Sequence, residues 1–145
     1  MKAIVQRVRE AGCEVNGELI THIGKGVLVF LGIEKGDSIE KAQKLAYKCV
    51  HLRIFEDTEG KMNLSVKDIA GEILVISQFT LCANCDKGLR PSFDNAEVGT
   101  DAITIYNSFI DFIHSNSLKV KQGIFGSKMH IPLVNDGPAT FILTI

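Results

Sequence analysis

The stretch Gly26-Val27-Leu28-Val29-Phe30-Leu31-Gly32-Ile33 decides the class of fold, because it is continuously apolar and rich in residues that favour β-strands. A run of this length and composition is typical of a strand that is buried on both faces. A second strong strand is predicted from Ile73 to Leu81. The fold is therefore expected to contain a β-sheet with a buried interior.

Shorter strands and turns surround these two runs. Asn16-Gly17 is typical of a two-residue hairpin turn, and Asn135-Asp136-Gly137-Pro138 is predicted to turn between two late strands. The further strands are predicted near residues 2–8, 51–55, 130–135 and 139–145.

Two helices are predicted from apolar residues at helical spacing. The first begins after a cap at Asp37 or Ser38, and its predicted buried face consists of Ile39, Ala42, Leu45, Ala46 and Cys49. The second extends from about Asp101 to His114 and has Thr100 as its predicted cap. Its predicted buried face consists of Ala102, Tyr106, Phe109, Ile110 and Ile113.

The predicted elements follow the order strands, helix, strands, helix, strands, with short links that favour antiparallel pairing. We therefore expect an α/β fold with α+β character, in which a curved or barrel-like mixed sheet, largely antiparallel, carries two main helices. A length of 145 residues suits a single domain, residues 1–145.

Composition limits the possible functions. The net charge of −1 argues against bulk electrostatic binding of nucleic acid, although a shaped pocket could still recognise one RNA end. No apolar run reaches the roughly 18 residues that a membrane span needs, so no membrane partner is expected. Residues 1–7 are too polar for a secretory signal, and a cytoplasmic location with reduced thiols is the default expectation.

Polar residues end the second apolar strand, in the segment Ser77-Gln78-Phe79-Thr80-Leu81. Strand alternation predicts that Gln78 and Thr80 share one face, while Ser77 and Phe79 share the other. Such a rim often hosts a site, but an edge strand that becomes polar as it surfaces has the same pattern. The hydroxyls of Ser77 and Thr80 could attack an ester, yet none of the four histidines lies in a recognisable triad motif.

Cys82-Ala83-Asn84-Cys85 has the spacing of zinc and thiol redox sites. A structural zinc ion needs four ligands, and the sequence offers no second pair at a matching spacing. We therefore predict no metal and no cofactor, and a thiol or zinc-binding module remains an alternative.

Arg7 alternates onto the same strand face as Ala3 and Val5, so it could point inward. A buried arginine needs acceptors, which the backbone carbonyls of a tight loop would supply. An exposed charge at a strand end is the alternative interpretation of Arg7. From the residues alone, Gly137-Pro138 is an ordinary turn between strands.

Two segments resemble the signatures of the D-aminoacyl-tRNA deacylase family: Ser77-Gln78-Phe79-Thr80-Leu81 and Asn135-Asp136-Gly137-Pro138-Ala139-Thr140. The similarity extends along the whole chain in family order. The other similar segments are Gln6-Arg7-Val8, Arg53-Ile54-Phe55, Gly60-Lys61-Met62-Asn63-Leu64, Arg90-Pro91-Ser92-Phe93 and Phe125-Gly126 through Met129.

The resemblance implies a metal-free homodimer that hydrolyses D-aminoacyl-tRNA at active sites located at the subunit interface. Ser77, Gln78, Phe79 and Thr80 would line the catalytic pocket for the aminoacylated 3′ end of tRNA. Gly137 and Pro138, joined by a cis peptide bond, would be the chiral selector that reaches into the partner's pocket. Arg7 would steady the selector.

Stereochemistry explains how such a site would work. L- and D-esters differ only in the arrangement about one carbon, and rigid backbone groups test that arrangement better than mobile side chains. Backbone N–H groups near Phe79 and Thr80 could stabilise the oxyanion. A wall that excludes L side chains would not exclude glycine, so glycyl-tRNA, such as glycine mischarged on tRNA-Ala, is also an expected substrate. The nucleophile is left open between water, the terminal ribose hydroxyl and Thr80, and a non-catalytic dimeric interaction protein is the second alternative.

Overall fold

The computed structural model describes residues 1–145 as eight strands and two helices. The strands are β1 (Lys2–Val15), β2 (Glu18–Ile23), β3 (Gly26–Gly32), β4 (Phe55–Glu56), β5 (Met62–Leu64), β6 (Glu72–Ser77), β7 (Lys119–Gln122) and β8 (Leu133–Thr144). The helices are α1 (Ile39–His51) and α2 (Gly99–Ser115). Neither helix is long and apolar enough to cross a membrane.

The long strand β1 organises the main sheet, because it pairs antiparallel with β2, β3 and β8. Strand β3 then pairs parallel with β6, and β6 pairs parallel with β7. Hydrogen bonds from Lys121 to the carbonyl of His22 and from the Gly24 N–H to Glu72 bring the two sides of the sheet together. The predicted curved, mixed and largely antiparallel sheet with two helices is therefore confirmed.

Strand alternation divides the interior into two cores. One face of β1, β3 and β6 packs against α1 and α2, and this larger core contains 23 buried residues. The other face forms a smaller core inside the curved sheet, made of Val8, Ala11, Cys13, Ile23, Leu28, Leu74 and Ile76. Both faces of β3 and β6 are thus buried, as their continuous apolar sequences predict.

The helix predictions are mostly confirmed. Ser38 caps α1 by accepting a hydrogen bond from the Lys41 N–H, and the predicted face is buried except for Ile39, which is exposed. All five predicted core residues of α2 are buried. The cap prediction was wrong, because α2 starts at Gly99, and Val98 takes the place expected for Thr100.

Four strand predictions need correction. Strand β1 continues to Val15 instead of ending near residue 8. The short strand predicted at residues 51–55 is β4, which begins only at Phe55, because α1 continues to His51. Strand β6 ends at Ser77, where a 3-10 turn (Phe79–Cys82) replaces the predicted strand end. The two predicted late strands are one strand, β8, which stays paired with β1 on both sides of an irregularity near Gly137. Strands β5 and β7 were not predicted.

Candidate active site

The segment from Ser77 to Thr80 lies where β6 meets the 3-10 turn. Ser77 pairs with Leu31 of β3, and the Gln78 N–H donates to the Leu31 carbonyl at 2.8 Å. The Leu81 N–H then donates back to the Gln78 carbonyl at 3.2 Å, which closes the turn. A methyl group at Gly32 would come within 2.9 Å of the Leu81 Cβ, so the turn packs directly on this glycine.

The 3-10 turn overturns the predicted alternation of side chains after Ser77, because a helical turn does not send successive residues to opposite faces. It brings the Gln78 side-chain amide to the Thr80 hydroxyl, with a donor–acceptor distance of 2.5 Å. As the first residues of the turn, Phe79 and Thr80 have N–H groups with no partner inside it. These two donors are the natural candidates for binding a developing negative charge.

A cavity of about 330 Å³ opens beside this segment, at the carboxyl ends of β3 and β6. Its walls are mainly apolar, and the residues that line it are Leu31, Ile33, Ile76, Ser77, Gln78, Phe79, Glu97, Val98, Gly99, Ala102, Phe125, Gly126, Ser127, Met129 and Ile131. Of the predicted catalytic segment, Ser77, Gln78 and Phe79 line the cavity, whereas Thr80 does not. None of the four histidines lines it either.

Several cavity residues are not marked by any local sequence pattern. Glu97 and Val98 precede α2 in an irregular stretch that matches no motif, and only the fold brings them to the end of β6. Phe125 and Met129 lie in one of the segments that resemble the family, but no local sequence pattern predicts that they line a cavity. The Phe125 ring meets the ring of Tyr106 edge-on, with ring centroids 5.4 Å apart.

Tyr106 packs against the cavity residue Phe125 and connects it to strand β6. Its hydroxyl donates to the Val75 carbonyl at 3.0 Å, and the same carbonyl accepts the Gly123 N–H at 3.1 Å. Burial raises the pKa of Tyr106, so the hydroxyl stays a donor at neutral pH. Strand β6, helix α2 and the loop that carries Phe125 are therefore joined at one backbone oxygen.

An exposed aromatic pair lies at the mouth of the cavity. Phe79 is 56% exposed, and its ring packs against the ring of Phe93 with centroids 5.1 Å apart. Phe93 is itself 41% exposed. Apolar rings in this position offer a surface for a base or an aromatic side chain.

Arg7 points inward and is 7% exposed. Its Nε donates to the Asp136 carbonyl at 2.8 Å, its guanidinium also donates to the Ile54 carbonyl, and the Asp136 carboxylate lies 3.4 Å from Nε. The interpretation of Arg7 as an exposed strand-end charge is therefore excluded. Loop carbonyls accept its hydrogen bonds, as expected for a buried arginine.

Gly137 and Pro138 follow Asp136 in β8, and the peptide bond between them is cis. Both are exposed, whereas Ala139 is buried. The Asn135 side-chain amide donates to the Arg7 carbonyl at 2.9 Å, which fastens the start of this segment to β1.

Within one chain, Gly137 and Pro138 are not near the cavity. They lie beside the part of β1 that contacts Ile54, beyond the C-terminus of α1, whereas the cavity is lined by Ile33, ahead of its N-terminus. Leu31, which lines the cavity, pairs with Ala3 of β1, whereas Gly137 and Pro138 lie opposite Arg7, four residues or roughly 13 Å further along that strand. The structure therefore does not bring the two sets of predicted site residues together in a single subunit.

The two cysteines of the C-x-x-C segment differ in their surroundings. Cys82 is buried, its thiol donates to the Ile33 carbonyl at 3.3 Å, and burial raises its pKa. Cys85 is exposed. No group of three or more His, Cys, Asp or Glu side chains is placed to hold a metal ion.

Comparison with known proteins identifies the relatives of this chain. Residues 4–144 match the family model described as D-Tyr-tRNA(Tyr) deacylase. A D-aminoacyl-tRNA deacylase of Thermodesulfovibrio yellowstonii is 54% identical over 99% of this chain and 98% of the relative. One of Geobacter sulfurreducens is 52% identical over 99% of this chain and 94% of its own length.

Two solved structures are similar over the whole chain. A protein described as c-Myc DNA unwinding element binding protein has a TM-score of 0.94 and 41% identity, covering 100% of this chain and 99% of its own. A probable eukaryotic D-amino acid tRNA deacylase has a TM-score of 0.83 with 17% identity, covering 99% and 98%. The second likeness concerns the fold alone.

Proposed function

We propose that this chain, which belongs to the D-Tyr-tRNA(Tyr) deacylase family, hydrolyses the ester bond of D-aminoacyl-tRNA and releases free D-amino acid and tRNA. The observation that carries the proposal is a match along nearly the whole chain to relatives named for that activity. Residues 1–145 would act as one deacylase domain, and the enzyme would proofread the chirality of charged tRNA.

The catalytic segment would be Ser77, Gln78, Phe79 and Thr80. The N–H groups at the start of the 3-10 turn would face the ester carbonyl and stabilise the oxyanion of the tetrahedral intermediate. Their fixed position on Gly32 and Leu31 supports this role, because a preorganised donor loses nothing to reorientation during the reaction.

The nucleophile that releases the amino acid would be water. Attack by the terminal ribose hydroxyl alone would only move the acyl group from one ribose oxygen to the other, so that hydroxyl would act by orienting the water. The Thr80 hydroxyl is bonded to the Gln78 amide, which is not a base, and no histidine lines the cavity. A hydroxyl nucleophile normally needs a base within hydrogen-bond reach. Thr80 would therefore contribute through its backbone.

The chiral selector would be Gly137 and Pro138 of a second copy of the chain, and Arg7 would support it. The separation along β1 between this segment and the cavity supports action in trans, since the segment does not line the cavity of its own subunit. The same separation favours a homodimer whose two sites lie at the interface. In a two-fold dimer each selector would enter the other subunit's cavity.

Selection would act by exclusion. A backbone wall that blocks the L side chain leaves hydrogen and D side chains untouched, so glycyl-tRNA, including glycine mischarged on tRNA-Ala, would be a substrate as well. No cofactor enters this scheme. An enzyme that acts on charged tRNA would work in the cytoplasm, where tRNA is charged and used.

Measuring the hydrolysis of D- and L-tyrosyl-tRNA by the purified chain tests the function. We expect turnover of the D-ester with sparing of the L-ester, at enzyme concentrations far below that of the substrate. A chain that hydrolyses neither ester is a non-catalytic relative, and equal hydrolysis of both would contradict proofreading of chirality.

A further inference from the structure

The pairing of β8 with β1 is interrupted around Gly137 and Pro138. Asn135 is the last residue of β8 that pairs with β1 before them, and the pairing resumes at Thr140. The four residues in between lie opposite Arg7 alone and form a bulge. Because this bulge is outside the regular ladder, side chains must hold its backbone in place.

The side-chain amide of Asn135 joins the two ends of the bulge. Its Nδ2 donates to the Arg7 carbonyl on β1 at 2.9 Å and to the Ala139 carbonyl, at the far end of the bulge, at 3.4 Å. At the near end, the Arg7 side chain donates to the Asp136 carbonyl at 2.8 Å. The exposed residues in the middle of the bulge are therefore presented on a frame that is held at both ends.

The oxygen of the same amide, Oδ1 of Asn135, faces Gly137. A Cβ added to Gly137 would lie 2.8 Å from this oxygen, which is shorter than an ordinary van der Waals contact. Apart from the chain neighbours of Gly137, the nearest atom outside Asn135 is the Ala139 nitrogen at 3.6 Å. The backbone of Gly137 is not in the left-handed region that favours glycine. Within its own subunit, the Asn135 amide is thus the obstacle to a side chain at residue 137.

We propose that Asn135 is a positioning residue for chiral discrimination, and that residue 137 lacks a side chain because the Asn135 amide occupies the space of its Cβ. This inference rests on the proposed function of Gly137 and Pro138 as the selector. A methyl group at residue 137 would displace the amide, since the end of a side chain moves more readily than backbone. The two carbonyls would then lose their donor, and the loosened selector would admit L side chains.

A double-variant cycle tests the coupling between the two residues. We would measure kcat/KM for D- and L-tyrosyl-tRNA with wild type, Asn135→Ala, Gly137→Ala and the double variant. Asn135→Asp is the isosteric variant, because it keeps the shape of the side chain and replaces the donor amide by an acceptor. Gln6→Ala is the matched control, since the Gln6 amide also joins β1 to β8 but donates to the Thr140 hydroxyl, outside the bulge. Thermal unfolding of each variant verifies the fold.

Asn135→Ala and Asn135→Asp should each lower the ratio of kcat/KM for the D- over the L-ester about tenfold, the effect of one or two neutral hydrogen bonds. The change should arise mainly from faster hydrolysis of the L-ester, whereas a variant that is merely less stable would lose activity on both esters equally. Gly137→Ala should lower the ratio by a similar factor. In the Asn135→Ala background the same change should alter the ratio by less than about twofold, because no amide remains to be displaced. Gln6→Ala should keep the wild-type ratio.

Two results overturn the inference while leaving the proposed function intact. Losses that multiply in the double variant would show that residue 137 lacks a side chain for the sake of the substrate, independently of Asn135. Wild-type discrimination by Asn135→Asp would show that the amide does not position the selector. Wild type that hydrolyses neither ester, or both equally, contradicts the proposed function itself, and this inference with it.

Discussion

The Nε of Arg7 donates a hydrogen bond of 2.8 Å to the carbonyl oxygen of Asp136, the residue that precedes Gly137 and Pro138. A side chain on β1 thereby fixes the backbone of β8 where the pairing of the two strands is irregular. Because Arg7 also donates to the Ile54 carbonyl, it links this part of β8 to the stretch between α1 and β4.

Replacing Arg7 should loosen this segment. Arg7→Met leaves buried carbonyls without their donors, so we expect a loss of about 3 kcal/mol in the free energy of unfolding. Arg9→Met is the matched control, because Arg9 also lies near the Asp136 carboxylate, at 3.9 Å, but its side chain is 76% exposed. It should cost less than about 0.5 kcal/mol.

The same pair of variants tests the selector. If Gly137 and Pro138 discriminate between enantiomers, Arg7→Met should reduce the ratio of kcat/KM for D- over L-tyrosyl-tRNA by about tenfold or more, since small displacements of a positioning group have large effects. Arg9→Met should leave the ratio unchanged. An Arg7→Met enzyme with wild-type discrimination would show that the segment does not act as a selector.

Subunit mixing can establish whether the site is completed in trans. Gly137→Val damages the proposed selector, because even a Cβ at Gly137 meets the Asn135 side chain at 2.8 Å. Phe79→Pro removes one proposed oxyanion donor at the start of a helical turn, where proline is tolerated. Each variant alone should be inactive, whereas refolding an equal mixture should restore about a quarter of wild-type activity.

That fraction follows from two-fold symmetry. About half of the mixed dimers are heterodimers, and one of their two sites combines an intact pocket with an intact selector. A mixture as inactive as its components, or full activity from a verified monomer, would exclude a shared site.

Thr80 should contribute more through its backbone than through its hydroxyl. In Thr80→Ala the N–H group remains, and only the contact with the Gln78 amide is lost. We expect deacylation to fall by less than about tenfold, the effect of one weakened neutral hydrogen bond. A folded variant that loses several orders of magnitude, together with a trapped acyl-enzyme in wild type, would identify Thr80 as the nucleophile.

The hydrolysis of glycyl-tRNA distinguishes a selector that excludes L side chains from a pocket that binds D side chains. An excluding wall meets no side chain on glycine, so glycyl-tRNA and D-alanyl-tRNA should both be hydrolysed in single-turnover reactions while L-alanyl-tRNA is spared. A pocket that binds the D side chain would instead hydrolyse glycyl-tRNA slowly, because glycine has no side chain to make the favourable contacts. Glycyl-tRNA as resistant as L-alanyl-tRNA would contradict the exclusion model.

Chelation should not inactivate the enzyme. Cys82 donates to the Ile33 carbonyl from a buried position and Cys85 is exposed, so neither is arranged as one of several ligands around a shared ion. Treatment with EDTA, and the double variant Cys82→Ser with Cys85→Ser, should retain more than half of the activity. Loss of activity that zinc restores would contradict this prediction.

The parts of the fold that follow from local patterns were predictable. The buried strand β3 and the inner face of α2 are encoded by apolar residues at fixed spacing, and the Asn16-Gly17 turn has its own local chemistry. The segment from Ser77 to Leu81 departs from its local pattern, because β-favouring residues there form a 3-10 turn. Hydrogen bonds to the neighbouring strand, such as that from the Gln78 N–H to Leu31, override their local preference.

The candidate site was harder to predict than the fold. Ser77, Gln78 and Phe79 could be identified because they form a contiguous motif, but Glu97 and Phe125 come from separate loops that carry no signal of their own. Asn135 to Pro138 has the composition of a turn, yet β1 pairs with β8 on both sides and makes the segment a bulge within one strand. Pairing between strands more than 100 residues apart cannot be deduced from either strand alone.

Because β8 is held to β1 both before and after Gly137 and Pro138, the number of residues between the two paired stretches is fixed more strictly than their identity. Adding or deleting one residue there would shift the register of Thr140 to Thr144 by one residue. Phe141 and Leu143 would then move from the core side of the sheet to the opposite face. Homologous chains could therefore vary the chemistry of this bulge by substitution, whereas a change of length would be tolerated only if a compensating residue restored the register.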